Sequence, residues 1–261
     1  MIIRTGTLKD LKNKNQKFAA LTSYDAMTAE IFDQAGIEVI LVGDSASNVV
    51  LGNKDPIAIT LQDMISFGKA VASSVKSALV VLDLPFGSYE VSATQALENA
   101  IFAMKQTGVA AVKLEGPKLE QIRALTQNGI PVMGHVGFTP QSVNALSGYK
   151  VQGRGDNAER IMRECLEIEA AGAFAIVLEM VPAKLAEEIT QKLQIPTIGI
   201  GAGPQTDGQI LVWNDFAGLS EKTPSFVKRY LEMRELLAEA ARSYRAETQD
   251  GSFPPVEKNF S

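Results

Sequence analysis

Eight short apolar segments, separated for the most part by stretches of helical periodicity, predict an α/β chain folded as one (β/α)8 TIM barrel. The segments are rich in β-branched residues and apolar nearly throughout, as parallel strands covered by helices must be. The first βα turn lacks the G-x-G-x-x-G fingerprint of an open doubly wound sheet, the alternative arrangement of the same elements. The 261 residues are therefore read as a single domain, residues 1–261, closed by a long C-terminal helix.

The repeat opens with a strand at Phe18–Thr22 and a helix over Ala26–Ala35, stopped by Gly36. Glu38–Asp44 is the second strand. Thr60 and Asp63 resemble a capping box, and Leu61, Met64, Ile65, Gly68, Val71, Ala72 and Val75 follow at helical spacing. Ala78–Leu84 is the third strand, closed by Pro85, and Ser92 caps a helix that runs to Thr107. Ala110–Gly116 is the fourth strand, with a helix from Pro117 to Gln127 behind it. Ile130–Val136, Phe174–Glu179, Ile195–Gly201 and Gln209–Trp213 complete the set of strands, with helices at Asn157–Ala171 and Ala183–Leu193. Residues 137–155 form a long connection after strand five, carrying Gly137, Gly148, Gly153 and Gly155, and long connections of this kind are often lids or binding loops. Beyond strand eight, Phe226, Tyr230, Met233, Leu237, Ala240 and Tyr244 mark one apolar stripe, suited to covering the barrel or to a subunit contact.

Composition narrows the function. A net charge of −5 gives no support for a nucleic-acid surface or for binding an anionic membrane. The single cysteine, Cys165, excludes an intrachain disulfide and a cysteine metal cluster. The N-terminus has no apolar signal core and no apolar run would span a bilayer, so a soluble cytoplasmic protein is expected.

The chemistry is concentrated at the strand ends. Within the fourth strand, Val112 and Leu114 face one way while Lys113 and Glu115 face the other. A charged pair on a strand that should be buried is either a mutual ion pair or the wall of a polar site. Strand two ends in Asp44 and Ser45, strand three in Asp83, strand five in His135 and strand six in Glu179. Each residue alone suits a loop acid, a helix cap or a satisfied core group. Together they mark the end of a barrel where active sites lie. Asp44, Asp83 and Glu115 offer three hard oxygen donors from adjacent strands, a set that favours magnesium over zinc or copper. Glu179, spared from metal duty, is the candidate general base, and Lys113 the fixed cation for a substrate oxyanion. His135 either orients a ligand, contacts substrate or is a satisfied core histidine.

An ordered set of motifs resembles the ketopantoate hydroxymethyltransferase family. It comprises Leu21–Asp25 (LTSYD), Val39–Ser45 (VILVGDS), Asp83–Tyr89 (DLPFGSY), Val112–Gly116 (VKLEG) and Pro131–His135. Thr139–Arg154 (TPQSVNALSGYKVQGR), Ile195–Gly203 (IPTIGIGAG) and Asp207–Gln209 continue it, and the resemblance covers nearly the whole chain. The chain departs from the commoner family pattern at Ala46-Ser47-Asn48 and at Trp213-Asn214.

The resemblance implies a magnesium-dependent barrel, a homo-oligomer and often a decamer. It implies transfer of a one-carbon unit from 5,10-methylenetetrahydrofolate to 3-methyl-2-oxobutanoate through a magnesium-stabilised enolate, in pantothenate biosynthesis. On matching positions the metal falls to Asp44, Asp83 and Glu115, the oxoacid to Asp44, Ser45, Asp83 and Lys113, and proton acceptance to Glu179. Two other functions use the same features. One is a magnesium-dependent lyase or mutase of the phosphoenolpyruvate mutase and isocitrate lyase type, distinguished by carbon–carbon cleavage or phosphoryl rearrangement without folate. The other is a non-catalytic ligand-binding barrel, whose carboxylates would bind no metal and exchange no substrate proton.

Overall fold

Parallel pairing runs unbroken around a closed ring in the computed structural model, which describes residues 2–145, 152–153, 155 and 157–255. The strands are β1 (Phe18–Thr22), β2 (Val39–Val42), β3 (Leu79–Asp83), β4 (Ala111–Lys113), β5 (Val132–Gly137), β6 (Ala175–Glu179), β7 (Thr197–Ile200) and β8 (Gly208–Leu211). They follow one another in chain order, and β8 pairs with β1. Helix α1 (Thr5–Asn13) precedes the ring. The helices between strands are α2 (Ala26–Gln34), α3 (Ala46–Val49), α4 (Leu61–Ser74), α5 (Ala93–Thr107), α6 (Leu119–Gln127), α7 (Asn157–Ala170) and α8 (Ala183–Lys192). The barrel lies in the first of two compact units, residues 1–212, and the second spans residues 213–261. Gly148, in the long connection after β5, lies outside the described residues.

Alternation along the strands separates an inner from an outer set. Val39 and Leu41 of β2, Leu79 and Val81 of β3, and Ala175 and Val177 of β6 join one buried cluster inside the ring. Leu8 of α1 belongs to the same cluster, with Ile3 and Leu11 packed against it. Helix α1 is thus part of the barrel core, although little in the sequence marks it beyond a single buried apolar residue. Lys12 anchors it by donating to Asp207 Oδ2 and to the Thr190 carbonyl, both at 2.8 Å.

The expected caps form where the side chains allow. Thr60 and Asp63 bond each other's backbone N–H at the start of α4, and Ser92 accepts from the Gln95 amide at the start of α5. The eighth strand is shorter than expected. Trp213 opens a helical turn, α9 (Trp213–Phe216), in place of ending the strand, because Asn214 and Asp215 are poor strand formers.

In the second unit the terminal helix is α10 (Met233–Asp250), and none of its residues is buried. Phe226 and Tyr230, expected on this helix, precede it. The amides of Tyr230 and Met233 donate to the carbonyls of Phe216 and Ala217 at 2.9 Å, so they are committed to α9 instead of extending α10 backwards. Tyr230 also stacks on Phe216 with ring centroids 4.9 Å apart.

One carboxylate organises the entry to β3. Asp33 of α2 accepts from the backbone amides of Lys76, Ser77 and Ala78, the shortest at 2.7 Å. Partial burial pushes its carboxyl up, but the three amides outweigh this and hold it below the ordinary carboxylate value. A depressed value stabilises the fold above the unfolded-state pKa, and the contribution disappears as pH falls through the folded-state value. Asp33→Asn should therefore lower stability by about 1 kcal/mol at neutral pH. Urea unfolding should show that difference closing toward roughly pH 2, where both carboxyl forms are protonated.

Candidate active site

The inward face that is apolar deeper in the barrel becomes charged at the carboxyl ends of the strands. Leu79 and Val81 are followed by Asp83, Ala111 by Lys113 and Glu115, Met133 by His135, and Ala175 and Val177 by Glu179. Glu115 lies just past β4, but its neighbours extend the ladder: the Leu114 amide donates to Met133 O at 3.2 Å and the Gly116 amide to His135 O at 2.8 Å. On β2 the inward slot after Leu41 belongs to Gly43. A Cβ there would lie 2.8 Å from Ser45 Oγ, so the glycine leaves room for its neighbours. Asp44 and Ser45 follow directly, and the Asp44 amide faces Asp83 Oδ2 at 3.3 Å.

All seven predicted residues gather in this region, and six of them form one network of contacts. Lys113 Nζ lies 2.5 Å from Asp83 Oδ1 and 3.7 Å from Glu115 Oε1. The ion pair within the fourth strand, one of the two readings of its charged face, exists inside a larger polar cluster, and the closer partner of Lys113 is on the neighbouring strand. His135 stands between two acids, with Nδ1 3.3 Å from Glu115 and Nε2 3.3 Å from Glu179. Both distances exceed a well-formed hydrogen bond, and neither ring nitrogen has an aligned one. Asp44, Asp83, Lys113, Glu115 and His135 are all at most 5% exposed. Ser45 Oγ pairs with the hydroxyl of Tyr24 at 2.8 Å.

Burial and mutual repulsion set the protonation pattern. Burial, with Asp83 and Glu115 close by, pushes the Asp44 carboxyl well up. Burial also raises Asp83, against the pull of Lys113. At Glu115 burial acts in the same direction, but His135 and Lys113 prevail and its carboxyl is lowered. His135 is raised to about 9, because Glu115 and Glu179 overcome burial and the repulsion of Lys113. The Lys113 ammonium is held above its usual value by Asp83, Glu115 and Asp44 despite desolvation.

The donor set fits a divalent cation. Asp44, Asp83, Glu115 and Glu179 are four carboxyl groups set against one lysine and one histidine in a largely water-excluded place. Without a cation such a cluster sheds charge by holding protons, which is the direction of the shifts at Asp44 and Asp83. Among the described residues no three His, Cys, Asp or Glu side chains form a ready-made metal cage. Asp44, Asp83 and Glu115 would supply oxygens only with Lys113 adjusting beside them.

Sequence reasoning missed the neutral residues that hold these acids. Gln141 donates its amide nitrogen to Asp44 Oδ2 at 2.8 Å and its backbone N–H to Glu115 Oε2 at 3.0 Å. Tyr89 lies behind it, bonded to Gln141 Oε1 at 2.5 Å. The only sequence signal for either was membership of the DLPFGSY and TPQS segments.

A closed parallel barrel with buried acids, a lysine and a histidine at the carboxyl ends of its strands defines a β/α-barrel enzyme. The chain belongs to the ketopantoate hydroxymethyltransferase family, whose model matches residues 3–256, and it is a hydroxymethyltransferase. The 3-methyl-2-oxobutanoate hydroxymethyltransferase of Acidothermus cellulolyticus is 53% identical, over 98% of this chain and 97% of that protein. The enzyme of the same name from Leifsonia xyli is 51% identical, over 99% of this chain and 94% of its own. Among solved structures, phosphonopyruvate hydrolase complexed with oxalate and Mg++ superposes with a TM-score of 0.64 at 14% identity, covering 100% of this chain and 92% of that one. A 2,3-dimethylmalate lyase of the PEP mutase/isocitrate lyase superfamily gives 0.62 at 18% identity, covering 100% and 93%. At these identities the likeness is one of fold.

Lys113→Met keeps length and removes the ammonium on which the acid cluster depends. Breaking a buried pair on one side typically costs about 3–5 kcal/mol, and denaturant unfolding at neutral pH should show a loss of that order. The loss should narrow as pH falls, because protonation of Asp83 relieves the stranded charge. Unchanged stability across the range would show that Lys113 does not balance the cluster.

Proposed function

We propose that this site transfers a hydroxymethyl unit from 5,10-methylenetetrahydrofolate to C3 of 3-methyl-2-oxobutanoate, giving 2-dehydropantoate for pantothenate biosynthesis. The observation that carries the reading is the run of contacts from Asp83 through Lys113, Glu115 and His135 to Glu179, which joins a cation-attracting cluster to a separate carboxylate. Identity above 50% to enzymes named for this substrate supports it.

The residues divide the work by charge. Asp44, Asp83 and Glu115 would hold magnesium, which when bound to a 2-oxoacid draws off the negative charge that develops on the keto oxygen. Ser45, steadied by Tyr24, and the backbone at Asp44 hold the substrate carboxylate. Lys113, kept cationic by its neighbours, faces the same space and stabilises oxyanion charge. Glu179 is 15% exposed at its side chain, against 2% for Glu115, so it is the acid within reach of a substrate carbon. It takes the C3 proton while His135 keeps its carboxylate aimed. The carbon nucleophile then adds to the methylene carbon of the folate as one of that carbon's two bonds to nitrogen breaks; water displaces the second nitrogen, supplying the hydroxyl and releasing tetrahydrofolate. The exposed apolar side chains Met27 and Ile31 on α2, and Ile101 and Phe102 on α5, support a homo-oligomer, for which a decamer is the form the resemblance implies.

Glu179→Gln separates chemistry from binding. Magnesium and the oxoacid should still bind, while exchange of the C3 proton with deuterated water, followed by NMR, should slow by about 10²–10⁴-fold. Exchange at the wild-type rate would assign the proton to another base. Assay of the wild-type chain with both substrates should yield 2-dehydropantoate only in the presence of magnesium and folate. Carbon–carbon cleavage without folate would favour the lyase reading.

A further inference from the structure

The acids of the cluster are not held by their own strands alone. Gln141, 4% exposed, comes from the 3-10 turn Pro140–Ser142 in the connection after β5. Its two amide protons are both committed, one to Asp44 Oδ2 at 2.8 Å and one to the Leu84 carbonyl at 3.1 Å. Its backbone N–H donates to Glu115 Oε2 at 3.0 Å. One residue from a loop thus grips carboxylates that follow two different strands, β2 and β4.

The orientation of that amide is fixed from behind. The hydroxyl of Tyr89, itself 1% exposed, accepts from the Glu115 amide at 3.2 Å, so its proton is available to Gln141 Oε1 at 2.5 Å. Turning the amide over would set its oxygen against two acceptors, the Asp44 carboxylate and the Leu84 carbonyl. The relay therefore has one satisfied arrangement.

We infer that Gln141 is a positioning residue for hydroxymethyl transfer: locked in one orientation by Tyr89, it holds Asp44 and Glu115 where they can share a divalent cation. The inference rests on the reading of these acids as cation-holding groups. Partners that orient ligating groups typically contribute on the order of 10–100-fold in metal affinity.

The test uses the full-length chain with Gln141→Met, Tyr89→Phe and the double variant. Mg2+ affinity is read by titration calorimetry and folding by the thermal midpoint. Gln141→Met keeps the backbone bond to Glu115 but frees Asp44, and Mg2+ affinity should fall roughly 10–100-fold with the chain still folded. Tyr89→Phe should lower affinity by a smaller factor. The double variant should be weaker than Gln141→Met by less than Tyr89→Phe costs alone, because beyond Gln141 Tyr89 keeps only its bond to the Glu115 amide. Wild-type affinity in Gln141→Met would overturn the inference, and fully additive losses would overturn the relay from Tyr89. Should Gln141→Met fail to fold, Tyr89→Phe decides: a folded variant with unchanged affinity sinks the inference. A wild-type chain without saturable Mg2+ binding would instead overturn the cation reading of the acids, and the positioning role with it.

Discussion

Everything at the carboxyl end of this barrel depends on one ammonium placed among acids. Lys113 is 3% exposed, and its Nζ is close to both Asp83 and Glu115. An isolated charge at such a depth would be driven to its neutral form, and so would each acid. Mutual compensation is what allows the inner face of the strands to change from apolar to ionic within one residue step. The change is sharp: Ala111 is in the apolar cluster, and Lys113 is the next inward position on the same strand. The apolar layer below supplies the rigid floor, plugged by Leu8, and the charged layer above supplies the chemistry.

Compensation is incomplete, and the imbalance is informative. A cluster with more acids than bases and little solvent is a poor structural core, since well-packed apolar residues in place of a buried ion pair are often neutral or stabilising. On the proposed reading, the excess of acids is what a bound cation would balance. The folded chain satisfies part of the demand by hydrogen bonds from neutral donors, of which the Gln141 amide is the clearest. Neutral donors lower the energy of carboxylates without occupying the space between them, whereas an additional lysine would fill it.

Much of this was legible in the sequence because strand ends obey a period of two. Lys113 and Glu115 were placed on one face by alternation within the fourth strand, and Asp83, His135 and Glu179 by ending theirs; the closed ring brings these strand ends together. Asp44 was found by position alone, since Gly43 holds the inward slot beside it. The remainder lacked a local signal. Gln141 is neutral, sits in a short turn, and finds Asp44 at a separation of 97 residues and Tyr89 at 52. No period or charge pattern points to such a partner. The C-terminal stripe failed for the opposite reason: a helical period continues through Phe226 and Tyr230, but backbone pairing with α9 took precedence over it.

The end of β6 illustrates how the backbone fixes where the Glu179 side chain starts, before His135 meets its carboxylate. Glu179 O accepts from the Phe138 amide at 2.8 Å, and Met180, the next residue, turns with φ 49°. A left-handed methionine costs about 1–2 kcal/mol, so the surrounding bonds must impose it. The Met180 amide donates to Ile200 O at 2.9 Å and its carbonyl accepts from Gln152 at 3.0 Å, which fixes the turn from both sides. Opposite, Gly137 has φ 95°, and a Cβ there would fall 2.2 Å from Glu179 O. No other residue type would let β5 pass that close. The strained turn and the glycine together set the exit direction of β6, and the Glu179 side chain leaves on the barrel side, against His135. As the base of the proposed reaction, a carboxylate placed this way would keep its position, because none of the bonds that aim its backbone involves a group that changes charge.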